Sequence, residues 1–152
     1  MSSHKKTKKI LFTSHVASFQ KFNRPFMRMM SKKGWEVHYA SMSEEEILDC
    51  DKSFVVPFTR SPFRLSNITA YKQLKKIISQ EDYDIIHTHT PMGSVVTRLA
   101  AKKARKNGTK IIYTAHGFHF FKGAPLLNWL IYYPVERLMA RHTEQRDRKS
   151  VV

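Results

Sequence analysis

The sequence predicts an α/β fold, a Rossmann-like parallel sheet with helices on both faces. Three observations carry this. Short apolar runs that suit strands alternate with longer segments of helical periodicity. Glycines stand where those helical segments should stop, at Gly34 and at Asn107-Gly108. The 152 residues hold no internal repeat and no low-complexity linker, which suits one domain with a real core.

In order, Lys9–Thr13 is a short apolar run suited to a buried strand. From about Phe19 to Lys33, Phe22, Phe26, Met29 and Met30 recur at helical spacing. Pro25 is expected to start or kink this helix, and Gly34 to end it. Trp35–Ala40 alternates as a strand does. Ser43 followed by three glutamates predicts a capped helix start. Ser53–Phe58 is a third strand. Ser66–Ser79 is a helix with Ile68, Tyr71, Leu74, Ile77 and Ile78 on one face. Asp84–His87 is a fourth strand. Ser94–Lys106 is a helix with Arg98, Lys102 and Arg105 opposite its apolar stripe, and Lys110–Ala115 is a fifth strand. Pro125 opens a last helix, which Pro134 is expected to interrupt.

Composition narrows the function classes. Hydrophobic residues make up 41% and charged residues 26%, as in a globular protein. One cysteine, Cys50, excludes an internal disulfide framework and fits a reducing compartment. No apolar run reaches the roughly 18 residues that a membrane-spanning helix needs. The net charge of +15 favours an anionic partner: nucleic acid, anionic lipid or a phosphorylated ligand. The basic residues are dispersed rather than gathered in one arm, which suits a broad membrane-facing surface better than a groove reader. Nucleic acid is therefore disfavoured as a partner.

Parallel α/β sheets bind ligands beyond the carboxyl ends of their strands. The loops Ser14–Gln20, Thr88–Gly93 and His116–Gly123 lie there, and all three regions carry histidine: His15, His87 with His89, and His116 with His119. Gly93 and Gly117 allow close backbone approach. Pro91, Met92 and Gly93 precede a predicted helix, so its first amides can face an anion or a sugar hydroxyl. A metal site is not expected, because carboxylates are missing nearby and strand alternation is expected to part His87 from His89. No Gly-x-Gly-x-x-Gly, Walker lysine motif or Gly-x-Ser-x-Gly elbow is present.

Tyr83-Asp-Ile-Ile-His-Thr-His-Thr-Pro-Met-Gly-Ser94, followed by Lys110-Ile-Ile-Tyr-Thr-Ala-His-Gly-Phe-His-Phe-Phe121, resembles the N-terminal half of bacterial family 4 glycosyltransferases, with capsular and exopolysaccharide members most similar. The resemblance covers about residues 8–144. It implies a GT-B architecture of two Rossmann-like domains, the N-terminal one holding the acceptor and the C-terminal one the nucleotide-sugar. Transfer would retain anomeric configuration without a metal or other cofactor. By position, His116 would be the catalytic histidine near the transferred sugar. His15 and Ser18 would line the cleft near the donor phosphate and acceptor. His89, Met92 and Gly93 would form another cleft loop, with Gly117 and His119 beside His116. The partners implied are a nucleotide-sugar and a lipid-linked saccharide acceptor, at the cytoplasmic face of an anionic membrane. Val16-Ala17-Ser18 stands where many relatives have glycines, a departure from close phosphate contact in that loop.

The expected organisation is a basic tail over 1–7, an acceptor-side domain over 8–145, and a non-native tail over 146–152. Asp147-Arg-Lys-Ser-Val-Val152 matches one reading frame of a widely used sequencing adapter. The donor-binding domain is not in the chain, so the alternative expectation is an inactive or partner-dependent fragment. The aromatic and basic stretch Phe118–Tyr133 is expected to suit a membrane interface.

Overall fold

The computed structural model describes residues 6–61, 63–116, 122–143 and 145–148. Among the described residues, six strands form one sheet: β1 Lys9–Thr13, β2 Glu36–Ser41, β3 Lys52–Val55, β4 Ile85–His89, β5 Lys110–Ala115 and β6 Gln145–Arg148. Their order is β3-β2-β1-β4-β5-β6, and every pairing is parallel. The helices are α1 Gln20–Lys32, α2 Ser66–Glu81, α3 Pro91–Ala100, α4 Lys102–Lys106 and α5 Leu126–Met139.

Side-chain alternation along the strands sorts the core into two layers. Leu11, Ala40, Ile86 and Ile111 pack with Leu74, Ile77 and Ile78 of α2 and Val96 and Ala100 of α3. Ile10, Phe12, Val37 and Tyr39 pack on the opposite face with Met27 and Met30 of α1. The expected doubly covered parallel sheet is therefore present, with β1 at its centre.

Local departures from the sequence reading have physical causes. No helix follows Ser43, because its hydroxyl accepts the backbone N–H of Ala17 at 3.1 Å instead of capping a helix of its own. The third strand stops at Val55, three residues before the expected Phe58. The helix expected from Ser94 begins at Pro91 and is divided at Ala101 into α3 and α4. Pro134 does not interrupt α5, which runs on to Met139. Pro134 and Leu130 are both exposed, so water can satisfy the carbonyl that the proline leaves without a donor. Residues 145–148, mostly within the expected foreign tail, form β6 beside β5, with Ile112 opposite Gln145 and Ala115 opposite Arg148.

Arg98, expected on an outward face, is 1% exposed. Its guanidinium donates to both carboxylate oxygens of Glu136 on α5, at 3.4 and 3.3 Å, and stacks 4.5 Å from the Tyr113 ring centroid on β5. This buried pair joins α3, α5 and β5.

At the amino ends of the strands, Glu81 of α2 receives Lys9 at 3.0 Å and also Lys52, while Glu36 binds His38 at 2.7 Å. Glu36, His38 and Glu81 have metal-ligating atoms close together. Lys9 and Lys52 already neutralise these carboxylates, and the cluster lies at the end of the sheet away from the histidine loops.

Candidate functional site

The strand order reverses direction between β1 and β4, and a doubly wound sheet opens its ligand crevice at such a point. The loops after these strands meet there. The His15 backbone N–H donates to Thr90 Oγ1 at 3.2 Å. Beneath them a buried hydroxyl chain fixes the strand ends. Thr13 donates to Thr88 at 2.8 Å, its oxygen lies 2.9 Å from that of Thr97, and Thr97 donates to the Gly93 carbonyl at 2.7 Å. Ser14 Oγ lies 2.7 Å from Tyr39 OH and donates to the Val16 carbonyl at 2.8 Å, which sets the path of the first loop.

Gly93 is buried where α3 begins. A Cβ there would lie 2.8 Å from Thr90 Oγ1 and 3.5 Å from the His15 nitrogen, so the helix can approach the first loop only because this residue has no side chain. Thr90 holds a φ of +65°, a costly backbone state for a β-branched residue. Pro91 has no N–H and the Ser94 N–H donates to the Thr90 carbonyl at 2.9 Å, so the amides that the start of α3 can offer are those of Met92 and Gly93.

A cleft of about 190 Å³ results, lined by His15, Phe19, Arg60, Thr90, Met92 and Gly93 among others. Burial pushes the His15 imidazole below its ordinary 6.5, and the Arg60 charge adds to the effect. His15 is therefore neutral near pH 7, and its Nδ1 is buried with no hydrogen-bond partner among the described residues. A neutral imidazole, a guanidinium and helix-terminal amides together suit a phosphate or a sugar hydroxyl.

The second part of the site lies beside the first. His89 Nδ1 is 3.0 Å from His116 Nε2, so one ring donates to the other. His87 and His89 have centroids 4.2 Å apart, and His87 Nε2 contacts Thr114 Oγ1 at 2.9 Å. The expected parting of His87 from His89 is thus corrected. Residues two apart on a strand share a face, and both rings point toward α1. Phe19 and Phe22 pack on His116 with centroids 5.1 and 5.4 Å away. Phe19 also lines the cleft, so the histidine pair and the cleft form one continuous surface.

Of the residues expected from sequence, His15, Met92 and Gly93 line the cleft, and His89 and His116 touch each other at its side. Ser18 is exposed in the 3-10 turn Ala17–Phe19. Gly117 and His119 lie outside the described residues. Thr90 lies inside the Thr88–Gly93 loop expected at the cleft, but Arg60 lies in none of the expected loops. Arg60 stands in the loop after β3, a carboxyl-end loop that carries no histidine to draw the eye.

Residues 9–145 match the family described as Glycosyl transferase 4-like. The chain belongs to this family. EpsD of Bacillus subtilis (strain 168), named as a glycosyltransferase, is 50% identical over 139 residues, which are 91% of this chain and 36% of that protein. An Escherichia coli UDP-Gal:alpha-D-GlcNAc-diphosphoundecaprenol alpha-1,3-galactosyltransferase is 29% identical over 108 residues, 65% of this chain and 27% of that one. A Listeria monocytogenes structure assigned as a UDP-N-acetylglucosamine 2-epimerase shares the fold with a TM-score of 0.66 at 12% identity, covering 92% of this chain and 38% of that one. The chain thus spans about a third of the length of these curated relatives. Within the Glycosyl transferase 4-like unit, the cleft and the histidine pair occupy the carboxyl ends of β1, β4 and β5. Among the described residues, no helix is long and apolar enough to cross a membrane.

Proposed function

We propose that this chain is the acceptor-side half of a retaining glycosyltransferase. It moves a sugar from a nucleotide-sugar to a lipid-linked saccharide in exopolysaccharide or capsule synthesis, at the cytoplasmic face of the membrane. The observation that carries the reading is the union of the His89–His116 pair with the cleft of His15, Arg60 and the α3 amides. The leaving nucleoside diphosphate needs positive charge and amide donors, and the cleft offers both. His116, oriented by His89 and held by Phe19 and Phe22, meets a hydroxyl of the transferred sugar. The E. coli relative's name contains a diphosphoundecaprenol acceptor, which supports a lipid carrier here.

The chain spans about a third of the length of its curated relatives, and on this reading the donor site belongs to a second Rossmann-like domain. The chain by itself is accordingly inactive, or active only with a partner that supplies the donor half. Sequencing native DNA past the codon for Gln145 tests this. A frame continuing for a further domain supports it, and a frame ending at Val152 overturns it.

The chemical test uses the protein of that longer frame, with nucleotide-sugar, polyprenyl-diphosphate-linked saccharide and EDTA. Transfer is expected to persist in EDTA and to fall about 100-fold or more in His116→Ala, with the circular dichroism unchanged. Full transfer by a folded His116→Ala protein would remove the histidine from the reaction.

A further inference from the structure

We infer that the outer seam between α2 and α3–α4 is the surface that docks on a membrane, and that its partner is an anionic lipid bilayer. Two grooves run along this seam. The one nearer the cleft, of about 430 Å³, is lined by Phe63, Leu65, Ile68, Val95 and Leu99 together with Arg64. Phe63 is 81% and Leu65 79% exposed, a large apolar display for a residue pair on a globular surface. The second groove, of about 530 Å³, is lined by Lys72, Lys75, Lys76 and Lys103. Asp82 also lines it and is already paired with Lys6.

Helical geometry makes the two grooves one face. Ile68, Lys72, Lys75, Lys76 and Ser79 follow the three- and four-residue spacing of a single stripe on α2. The step from Ile68 to Lys76 is about 12 Å at 1.5 Å per residue. One end of the stripe is therefore an apolar wedge and the other a cluster of cations.

That pairing selects the occupant. A second copy of this chain would bring the same lysines against the groove, and the +15 net charge opposes such an approach. A single-stranded nucleic acid could stack on Phe63 and Tyr71, but it would leave the aliphatic residues Leu65, Ile68, Val95 and Leu99 of the same groove without an apolar partner. A bilayer with anionic headgroups satisfies both ends, since acyl chains receive Phe63 and Leu65 while phosphates receive the lysines.

The face also joins the site. Met92 lines both the apolar groove and the cleft of His15 and Arg60. An acceptor anchored in the bilayer would reach the cleft without leaving the interface. In this respect the inference rests on the transferase reading and deepens it. The inferred contact lies on α2 and α3, whereas the stretch expected from sequence, Phe118–Tyr133, falls partly outside the described residues.

Co-sedimentation of the chain with phosphatidylglycerol–phosphatidylcholine vesicles tests the inference without any sugar donor, so its failure is separate from failure of the transferase reading. The wild-type chain is expected to bind these vesicles and not pure phosphatidylcholine. Lys72→Glu/Lys75→Glu/Lys76→Glu should weaken binding on the order of 100-fold. Phe63→Ser/Leu65→Ser should weaken it about tenfold or more. Leu126→Ser/Leu130→Ser on α5 should leave it unchanged. All of these positions are exposed, and circular dichroism verifies that each variant folds. Absence of vesicle binding, binding that survives both seam variants, or loss confined to the α5 variant would each overturn the assignment.

Discussion

Gly93 shows how much one missing side chain does. Its Cα sits where any Cβ would press on Thr90 Oγ1, the atom that receives the His15 amide. Gly93→Ala should therefore cost about 1–3 kcal/mol of stability by overpacking, read as a lower urea midpoint. In the proposed two-domain transferase, transfer should fall further, because Thr90 must turn away from the first loop. An unchanged midpoint with full transfer would mean that the turn relaxes freely. The sequence made Gly93, His15, His89 and His116 legible because strand ends and helix starts can be located from periodicity. Arg60 was not legible, since its place in the cleft depends on the path of the loop after β3 and not on any local pattern. The face shared by His87 and His89 was legible in principle, because the two-residue period of a strand dictates it.

At the scale of elements, the pair Arg98–Glu136 fixes the last helix. Helix α5 keeps Leu126, Leu127 and Leu130 in solvent, so its apolar residues alone do not seat it. The buried pair and the Tyr113 ring hold it to α3 and β5. Arg98→Ala leaves a carboxylate buried without its partner and should cost about 3–5 kcal/mol, a large share of an ordinary domain's stability. Arg98→Met/Glu136→Leu should recover most of it, as chemical denaturation can measure. A small loss in Arg98→Ala would show that α5 is seated by other contacts. Sequence periodicity placed Arg98 outside because charge on a helix is ordinarily solvated. Only the arrival of Glu136 from 38 residues away reverses that expectation. The extra helix at Ser43 failed for a related reason: a capping hydroxyl was taken by an amide remote in sequence.

For the molecule as a whole, stability should depend on pH through Glu81, which ties α2 to the starts of β1 and β3. Lys52 first, then Lys9, hold this carboxyl down from 4.5 to about 2. Its folded value lies below its unfolded one, so its contribution is complete above pH 4.5 and disappears as pH falls toward 2. Urea midpoints measured from pH 7 to pH 3 should decline below pH 4.5, and Glu81→Gln should flatten that decline. A parallel decline in both proteins would place the acid sensitivity elsewhere. The doubly wound architecture was legible because helices separate most successive strands, β2 and β3 excepted, whereas β6 was not, since Gln145–Arg148 has no apolar run to announce it. The central position of β1 also bears on how the protein is made. β1 can pair with β2 once residue 41 has left the ribosome, but its other edge waits for β4, which ends at residue 89. At roughly 5–20 residues per second, the nascent chain carries a bare central strand edge for about 2 to 10 s. During translation this interval, rather than any property of the finished sheet, is when the chain most needs a chaperone.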